Sequence, residues 1–205
     1  MGRPKLHLPF GRSTVLGAAV EAALGAGLRV VVVGRKEDKF IASYAIPGRV
    51  LVAINPEPER GMLSSLHAGL DLAANALEAR SPWAKGEVLR HFRGFFFAPG
   101  DMPLIRASTY ESLLAASENR PAIAAFRGRR GHPVFIPAAL SRALRALPDD
   151  GNLRSLIDAS RPILVETADE GTVTDIDVPM DYELAVAQPA EVGTLSTSCI
   201  PRVEA

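Results

Sequence analysis

The sequence predicts an α/β fold with a doubly wound, mainly parallel sheet and a small antiparallel hairpin. Three features lead there. Short, unbroken apolar runs, Val-Val-Val-Val at 30–33 and Phe-Phe-Phe-Ala at 95–98, have the composition of strands covered on both faces, as in a parallel sheet. Longer stretches between them carry apolar residues at helical spacing, so strand and helix alternate as right-handed βαβ units require. A basic turn, Arg127-Gly-Arg-Arg-Gly, separates two apolar runs closely enough for a hairpin.

Taken in order, Ser13 or Thr14 can cap a helix that runs to about residue 26 and puts Val15, Leu16, Ala19, Val20, Ala23 and Leu24 on one face. Gly25 and Gly27 end it. Residues 30–33 form a strand, 36–45 a short helix and 50–54 a second strand. Residues 62–79 read as a long helix, with Leu63, Leu66, Leu70 and Leu77 at helical spacing. Residues 81–93 are a connection with one helical turn. A third buried strand at 95–98 precedes a helix at 107–117 and a fourth strand at 122–126. Residues 133–136 return as the second arm of the hairpin. Helices at 137–147 and 152–159, short strands at 163–166 and 173–176, and a last helix from Pro179 complete one domain over residues 1–188. Residues 189–205 read as a loose tail.

The composition narrows the function. Hydrophobic residues make up 47% of the 205, enough for a large core. Lys+Arg and Asp+Glu balance at 23 each, which leaves no electrostatic footprint for nucleic acid or an anionic membrane surface. Cys199 is the sole cysteine, so no internal disulfide can form and a reducing cytoplasm is the expected compartment. No apolar run approaches the ~18 residues of a membrane span.

Several segments place chemistry at strand ends, where open α/β sheets bind their ligands. In Phe95-Phe-Phe-Ala-Pro-Gly-Asp-Met-Pro, Gly100 allows a tight turn and Asp101 emerges at the carboxyl edge. A carboxylate there suits a hard cation such as Mg²⁺, although a helix cap is the commoner use of a lone aspartate. In Thr174-Asp-Ile-Asp-Val-Pro-Met-Asp, period-two alternation puts Asp175 and Asp177 on one side, so either can share a metal with Asp101. Asp181 serves the following helix N-terminus. Asn55-Pro-Glu-Pro-Glu-Arg-Gly-Met-Leu-Ser runs from a strand end into a helix, with Gly61 and Ser64 at its start offering N–H groups to a nucleotide. A proline-rich loop with a serine cap is the plainer reading of it. Lys5 is a point charge suited to phosphates. Arg129, Arg130 and His132 form a basic turn that can face an anionic acceptor or simply be solvated. There is no Walker-type loop, dinucleotide fingerprint or GxSxG elbow, and the histidines lack metal-ligand spacing.

Together and in register, these segments resemble the MobA-like NTP transferases, nearest to the molybdenum cofactor cytidylyltransferase branch. Met1-Gly-Arg-Pro-Lys5 is similar to the end of the opening Gly-rich signature. Asn55, Gly61-Met62 and Ser64-Ser65-Leu66 resemble the nucleoside-holding segment, and Pro99-Gly-Asp-Met-Pro103 the metal-binding turn. Gly131-His-Pro133 looks like the acceptor side. Asp150-Gly-Asn-Leu-Arg154 is similar to another family segment, with Asp149 where glycine is usual, and Asp175-Ile-Asp177-x-Pro179-x-Asp181 matches the closing motif.

The resemblance implies a Rossmann-like fold of the nucleotide-diphospho-sugar transferase type and a Mg²⁺-dependent transfer of a nucleoside monophosphate. CTP is the favoured donor, a molybdopterin-type phosphate the acceptor, and pyrophosphate the leaving group. It assigns Lys5 and Asp101 to catalysis, and Lys5, Asn55, Gly61, Ser64 and Asp101 to the nucleotide. His132, Arg130 and Arg154 go to the acceptor, and Asp101, Asp177 and Asp175 to the metal. A molybdenum hydroxylase or its chaperone is the implied protein partner. The rivals are a sugar-phosphate or other small-molecule nucleotidyltransferase of the same fold, and a non-catalytic accessory protein that hands over molybdenum cofactor. The family's first strand and Gly-rich loop precede the point where this chain begins, so the expectation is a start assigned too late and an incomplete nucleotide loop.

Overall fold

The structure is a computed structural model, and it describes residues 4–78, 92–148 and 150–188. The connection predicted at 81–93 falls mostly outside the described residues. The predicted tail, Cys199 and Asp149 lie wholly outside them.

A 3₁₀ turn at Lys5–His7 leads into a two-residue antiparallel pair, β1 (Pro9–Phe10) and β2 (Ser13–Thr14). Thr14 is the cap the sequence offers: its Oγ1 accepts a hydrogen bond from the Gly17 N–H at the start of α1 (Val15–Gly25). Gly27, at φ 74°, closes that helix in the left-handed conformation that suits glycine. Strands β3 (Val30–Arg35) and β4 (Val50–Asn55) pair in parallel, and α2 (Met62–Glu78) covers them.

The second ladder has the order β5 (Gly94–Phe97), β7 (Arg129–Pro137), β6 (Ala122–Phe126), β8 (Ile163–Glu166). β6 and β8 are parallel, whereas β7 runs antiparallel to both neighbours. The expected hairpin is therefore the centre of this sheet rather than an appendage to it. α3 (Ala107–Ala116), α4 (Ser141–Arg145), α5 (Leu153–Ala159) and α6 (Pro179–Ala187) complete the described chain. No helix among the described residues is long and apolar enough to cross a membrane.

The α/β class and strand–helix alternation are as predicted, but two elements are not. Residues 36–45 form only a 3₁₀ turn at Ile41–Tyr44, because the Asp38 side chain accepts the Phe40 N–H and diverts the backbone from a helix. Residues 173–176 do not join a ladder. They leave a 3₁₀ turn, Glu170–Val173, closed by the Thr172 and Thr174 hydroxyls on the Asp169 and Glu170 carbonyls.

Packing joins the two ladders. Val30 from β3 and Phe96 from β5 both contact the buried cluster of Ala23, Met102, Ile105 and Tyr110. Leu63, Leu66 and Leu70 of α2 pack on Ile123 and Ile136 of the second sheet. At Gly69, on the same helix, a Cβ would lie 3.0 Å from Val33 of the first.

Candidate active site

Three side chains from distant parts of the sequence meet at one point. Lys5 Nζ donates to Asp101 Oδ2 at 2.7 Å and to Asp177 Oδ1 at 2.8 Å. The two carboxylate oxygens, each bonded to the same nitrogen, are thus no more than 5.5 Å apart (2.7 + 2.8). Each residue is delivered by the chain around it. Lys5 sits in the turn before β1, with Leu6 packed in the core beside Leu16 and Leu8 packed beside Val15 and Ile176. Asp101 follows β5 and is pinned between Gly100, close against Leu16, and buried Met102 and Pro103.

Asp177 is fixed twice. Ile176, fully buried, donates its N–H to the Asp101 carbonyl at 3.0 Å, which ties the two carboxylate segments backbone to backbone. The Asp177 and Val178 N–H groups then donate to Asp181 Oδ2 at 2.9 and 2.8 Å, the helix-start role predicted for Asp181. Those bonds hold the Asp181 carboxyl below its ordinary range. Burial alone lowers the Lys5 pKa, but the hydrogen bonds and charges of Asp101 and Asp177 outweigh it and hold the ammonium above the ordinary lysine value.

Two glycines make this convergence possible. A Cβ at Gly131 would fall 2.0 Å from the Thr172 carbonyl oxygen, and one at Gly171 2.2 Å from that of Leu104. Both contacts are with backbone, which cannot swing away. The 170–174 segment can therefore lie flat on β7 and against the chain after Asp101. Sequence reasoning did not single out Gly171. A glycine beside an Asp-Glu pair reads as an ordinary turn residue.

Asp175 and Asp177 are exposed on one side and Ile176 is buried on the other, so the predicted alternation holds without a strand. Asp177 takes the lysine. The Asp175 charge acts on His132, whose ring stands edge-on to Phe97 at 5.5 Å between centroids. Burial pushes the His132 pKa down, against the pull of the Phe97 carbonyl and of the Asp101 and Asp175 charges. Its Nδ1 is buried and has no hydrogen-bond partner.

Asn55, Gly61 and Ser64 are brought together, chiefly by one another. Asn55, 3% exposed, donates to Ser64 Oγ at 2.8 Å and Ser65 Oγ at 2.9 Å and accepts the Glu57 N–H at 2.9 Å. Ser64 Oγ donates to the Gly61 carbonyl at 2.8 Å. Gly61, at φ 100°, supplies the turn that a side-chain residue would strain. These side chains shape the loop between β4 and α2. Arg130 and Arg154 meet elsewhere, on Asp158 of α5 at 2.6 and 3.7 Å.

A cleft of about 240 Å³ lies away from these residues, between the start of α3 and the chain after β8. Its Asp169 carboxylate is already bonded to Arg106 N, Thr109 Oγ1 and Gly171 N. The cleft is consequently a less apt chemical centre than the Lys5 cluster. Among the described residues no group of three or more His, Cys, Asp or Glu is arranged to hold a metal. Two carboxylates on one cation are enough for Mg²⁺ or a similar hard ion, which takes its remaining ligands from phosphates and water.

Comparison with known proteins gives the family and the fold. The MobA-like NTP transferase domain matches residues 1–163. The molybdenum cofactor cytidylyltransferase of Escherichia coli (strain K12) is 22% identical over 193 residues, covering 94% of this chain and 92% of its own. A nucleotidyl transferase from Methanothermobacter thermautotroptrophicus superposes with a TM-score of 0.65 at 25% identity, over 88% of this chain and 82% of that one. Rv0371c of Mycobacterium tuberculosis H37Rv, solved in complex with manganese, superposes with a TM-score of 0.63 at 21% identity, over 91% and 94% of the two chains.

Proposed function

The chain belongs to the MobA-like NTP transferase family and is a nucleotidyltransferase, and from that premise we propose that it transfers CMP from CTP to the terminal phosphate of a molybdopterin-type acceptor. An oxygen of the acceptor phosphate forms the new bond to the α-phosphorus, the α–β bridging bond breaks, and pyrophosphate leaves. The nucleophile is already ionised near neutral pH, so no general base is needed. Catalysis rests on positioning and on charge stabilisation.

One observation carries the reading: Asp101 and Asp177, 76 residues apart in the sequence, converge on a single cation. The Lys5 ammonium holds the place a divalent ion would take, and the donor set, carboxylate oxygens alone, is the hard kind such ions prefer. Asp101 and Asp177 would hold Mg²⁺ or Mn²⁺, with Asp175 beside them. When bound, the ion neutralises charge that builds on the phosphates in the transition state. Manganese in the M. tuberculosis neighbour supports a divalent ion here. Lys5, on a flexible stem, exchanges its carboxylates for the nucleotide phosphates. The Asn55–Gly61–Ser64 turn sets the shape of the nucleoside side. His132, whose buried Nδ1 has no hydrogen-bond partner, is assigned to the acceptor, and Arg130 and Arg154, now held by Asp158, are candidates to reach it. The E. coli relative supports CTP and a molybdenum cofactor acceptor.

Pyrophosphate release with Mg²⁺ or Mn²⁺, each NTP in turn, and either molybdopterin or a simple alcohol phosphate tests the reading. CTP with molybdopterin is expected to give the fastest turnover. Release only with the alcohol phosphate would replace the acceptor. Molybdopterin binding with no release from any NTP would replace the enzyme by an accessory protein.

A further inference from the structure

Outside the Lys5 cluster, a chain of polar side chains runs through the apolar packing next to it. His7 Nε2 lies 2.8 Å from Asp38 Oδ2, and His7 Nδ1 lies 3.1 Å from the Tyr44 hydroxyl. The Tyr44 hydroxyl in turn meets Thr14 Oγ1 at 2.6 Å, the atom that caps α1. The His7 ring is clamped between Phe40 and Tyr44, with centroids 5.5 and 5.9 Å away. Its side chain is 11% exposed, and Tyr44 is 3% exposed.

We infer that His7, Asp38 and Tyr44 are positioning residues that aim Lys5 at the phosphate site, a conclusion that rests on the reading of Lys5 as the phosphate-binding cation. Lys5 and His7 belong to the same three-residue turn. Its described backbone bonds are His7 N to the Pro4 carbonyl at 3.0 Å and Leu8 N to the Lys5 carbonyl at 3.3 Å, and the Leu8 carbonyl accepts the Val15 N–H at 3.0 Å. One backbone tie to α1 leaves much of its orientation to side chains. Leu6 and Leu8 anchor it by packing, which is non-directional. His7 supplies direction, because both ring nitrogens are engaged and the ring plane is thereby fixed. Asp38 sets Nε2 as the donor. In the neutral ring Nδ1 then accepts from Tyr44, which leaves Thr14 to donate to Tyr44. Burial raises the Tyr44 pKa, and the nearby Asp38 adds to it against the Thr14 hydrogen bond, so the phenol keeps its proton. A free lysine side chain has four rotatable bonds to lose on binding. A turn held in one orientation reduces what Lys5 must lose on meeting its ligand.

A neutral packing role and a positioning role predict different results. Reductive methylation with ¹³C-formaldehyde labels Lys5, Lys36, Lys39 and Lys85, and loss of one signal in Lys5→Ala identifies Lys5. In the unsubstituted protein the Lys5 methyl signal is expected to stand apart from those of the exposed Lys36 and Lys39. In His7→Leu, and in the milder Tyr44→Phe, it should move toward theirs as the contacts with Asp101 and Asp177 loosen. In pyrophosphate release, His7→Leu should lower kcat/KM for the nucleotide about tenfold. Added to Lys5→Ala, it should cause no further loss, since it acts only through Lys5. His7→Gln, which keeps a donor for Asp38, should recover part of the loss. An unchanged Lys5 signal position in both variants, or losses that multiply in the double variant, would overturn the inference. A protein that releases no pyrophosphate from any NTP would sink the enzymatic reading, while the position of the Lys5 signal still decides whether His7 positions Lys5.

Discussion

Asp101 and Asp169 both follow a strand and both sit where a short turn begins, yet their partners differ in kind. Asp169 is 4% exposed and accepts from two backbone N–H groups and a threonine hydroxyl. None of those donors can leave without unfolding something. Asp101 accepts from Lys5, a cation on a long, rotatable stem, and so does the exposed Asp177. A carboxylate saturated by fixed donors is a fastener, whereas one held by a retractable charge is free to take a ligand. By that criterion buried Asp169 is the fastener and half-buried Asp101 the carboxylate proposed for chemistry.

Substitution separates the two roles most sharply at Asp101. Asp101→Ala is expected to reduce pyrophosphate release by at least about 10³-fold, the scale of losing a transition-state charge partner. Its melting temperature should stay within a few degrees of the parent. If the two fall together, Asp101 is a fastener after all. Asp169→Ala should show the reverse. Leaving three donors without an acceptor is expected to cost about 3 kcal/mol, a lower melting midpoint in calorimetry, with kcat of the folded fraction changed by less than about threefold. A large kcat loss at unchanged stability would move the chemistry to the α3 cleft.

The smallest effect concerns His132. Its pKa is lowered in the folded protein by burial, so the unfolded chain binds the proton more readily. Stability of the metal-free protein should therefore decline as pH falls below the unfolded value of about 6.5, and recover above it. Urea midpoints measured from pH 7.5 to 5 should show this slope, and His132→Gln should flatten it. An unaltered slope in His132→Gln would mean that other groups cause it.

Much of this comparison was legible in the sequence. Asp101 and Asp177 could be picked out because apolar runs stop just before them, and the strand-end rule placed both at one edge. Lys5 was open to reading as a phosphate-binding charge, and the family resemblance joined it to the two aspartates. The pattern misled where side chains bond to their own backbone. Val-Thr-Asp-Ile at 173–176 has strand composition, but Thr172 and Thr174 close a turn instead. The bond between the Asn55 and Ser64 side chains, nine residues apart, was not foreseen either. His7 was invisible for a different reason. Its partners stand 31 and 37 residues away, at no recognisable spacing, and only the fold makes them neighbours.

The Lys5–Asp177 contact joins residues 172 apart, and nearby the Tyr182 hydroxyl donates to the Pro9 carbonyl across 173. Closing so long a loop carries a large entropic cost, and the contacts that reward it can form only after the intervening sheets have docked. The cluster is thus the clasp of the chain, fastened late and opened early. During refolding, nucleotide binding should return after the helical signal has recovered. Partial fraying at either end of the domain would silence the site while most of the core remained intact.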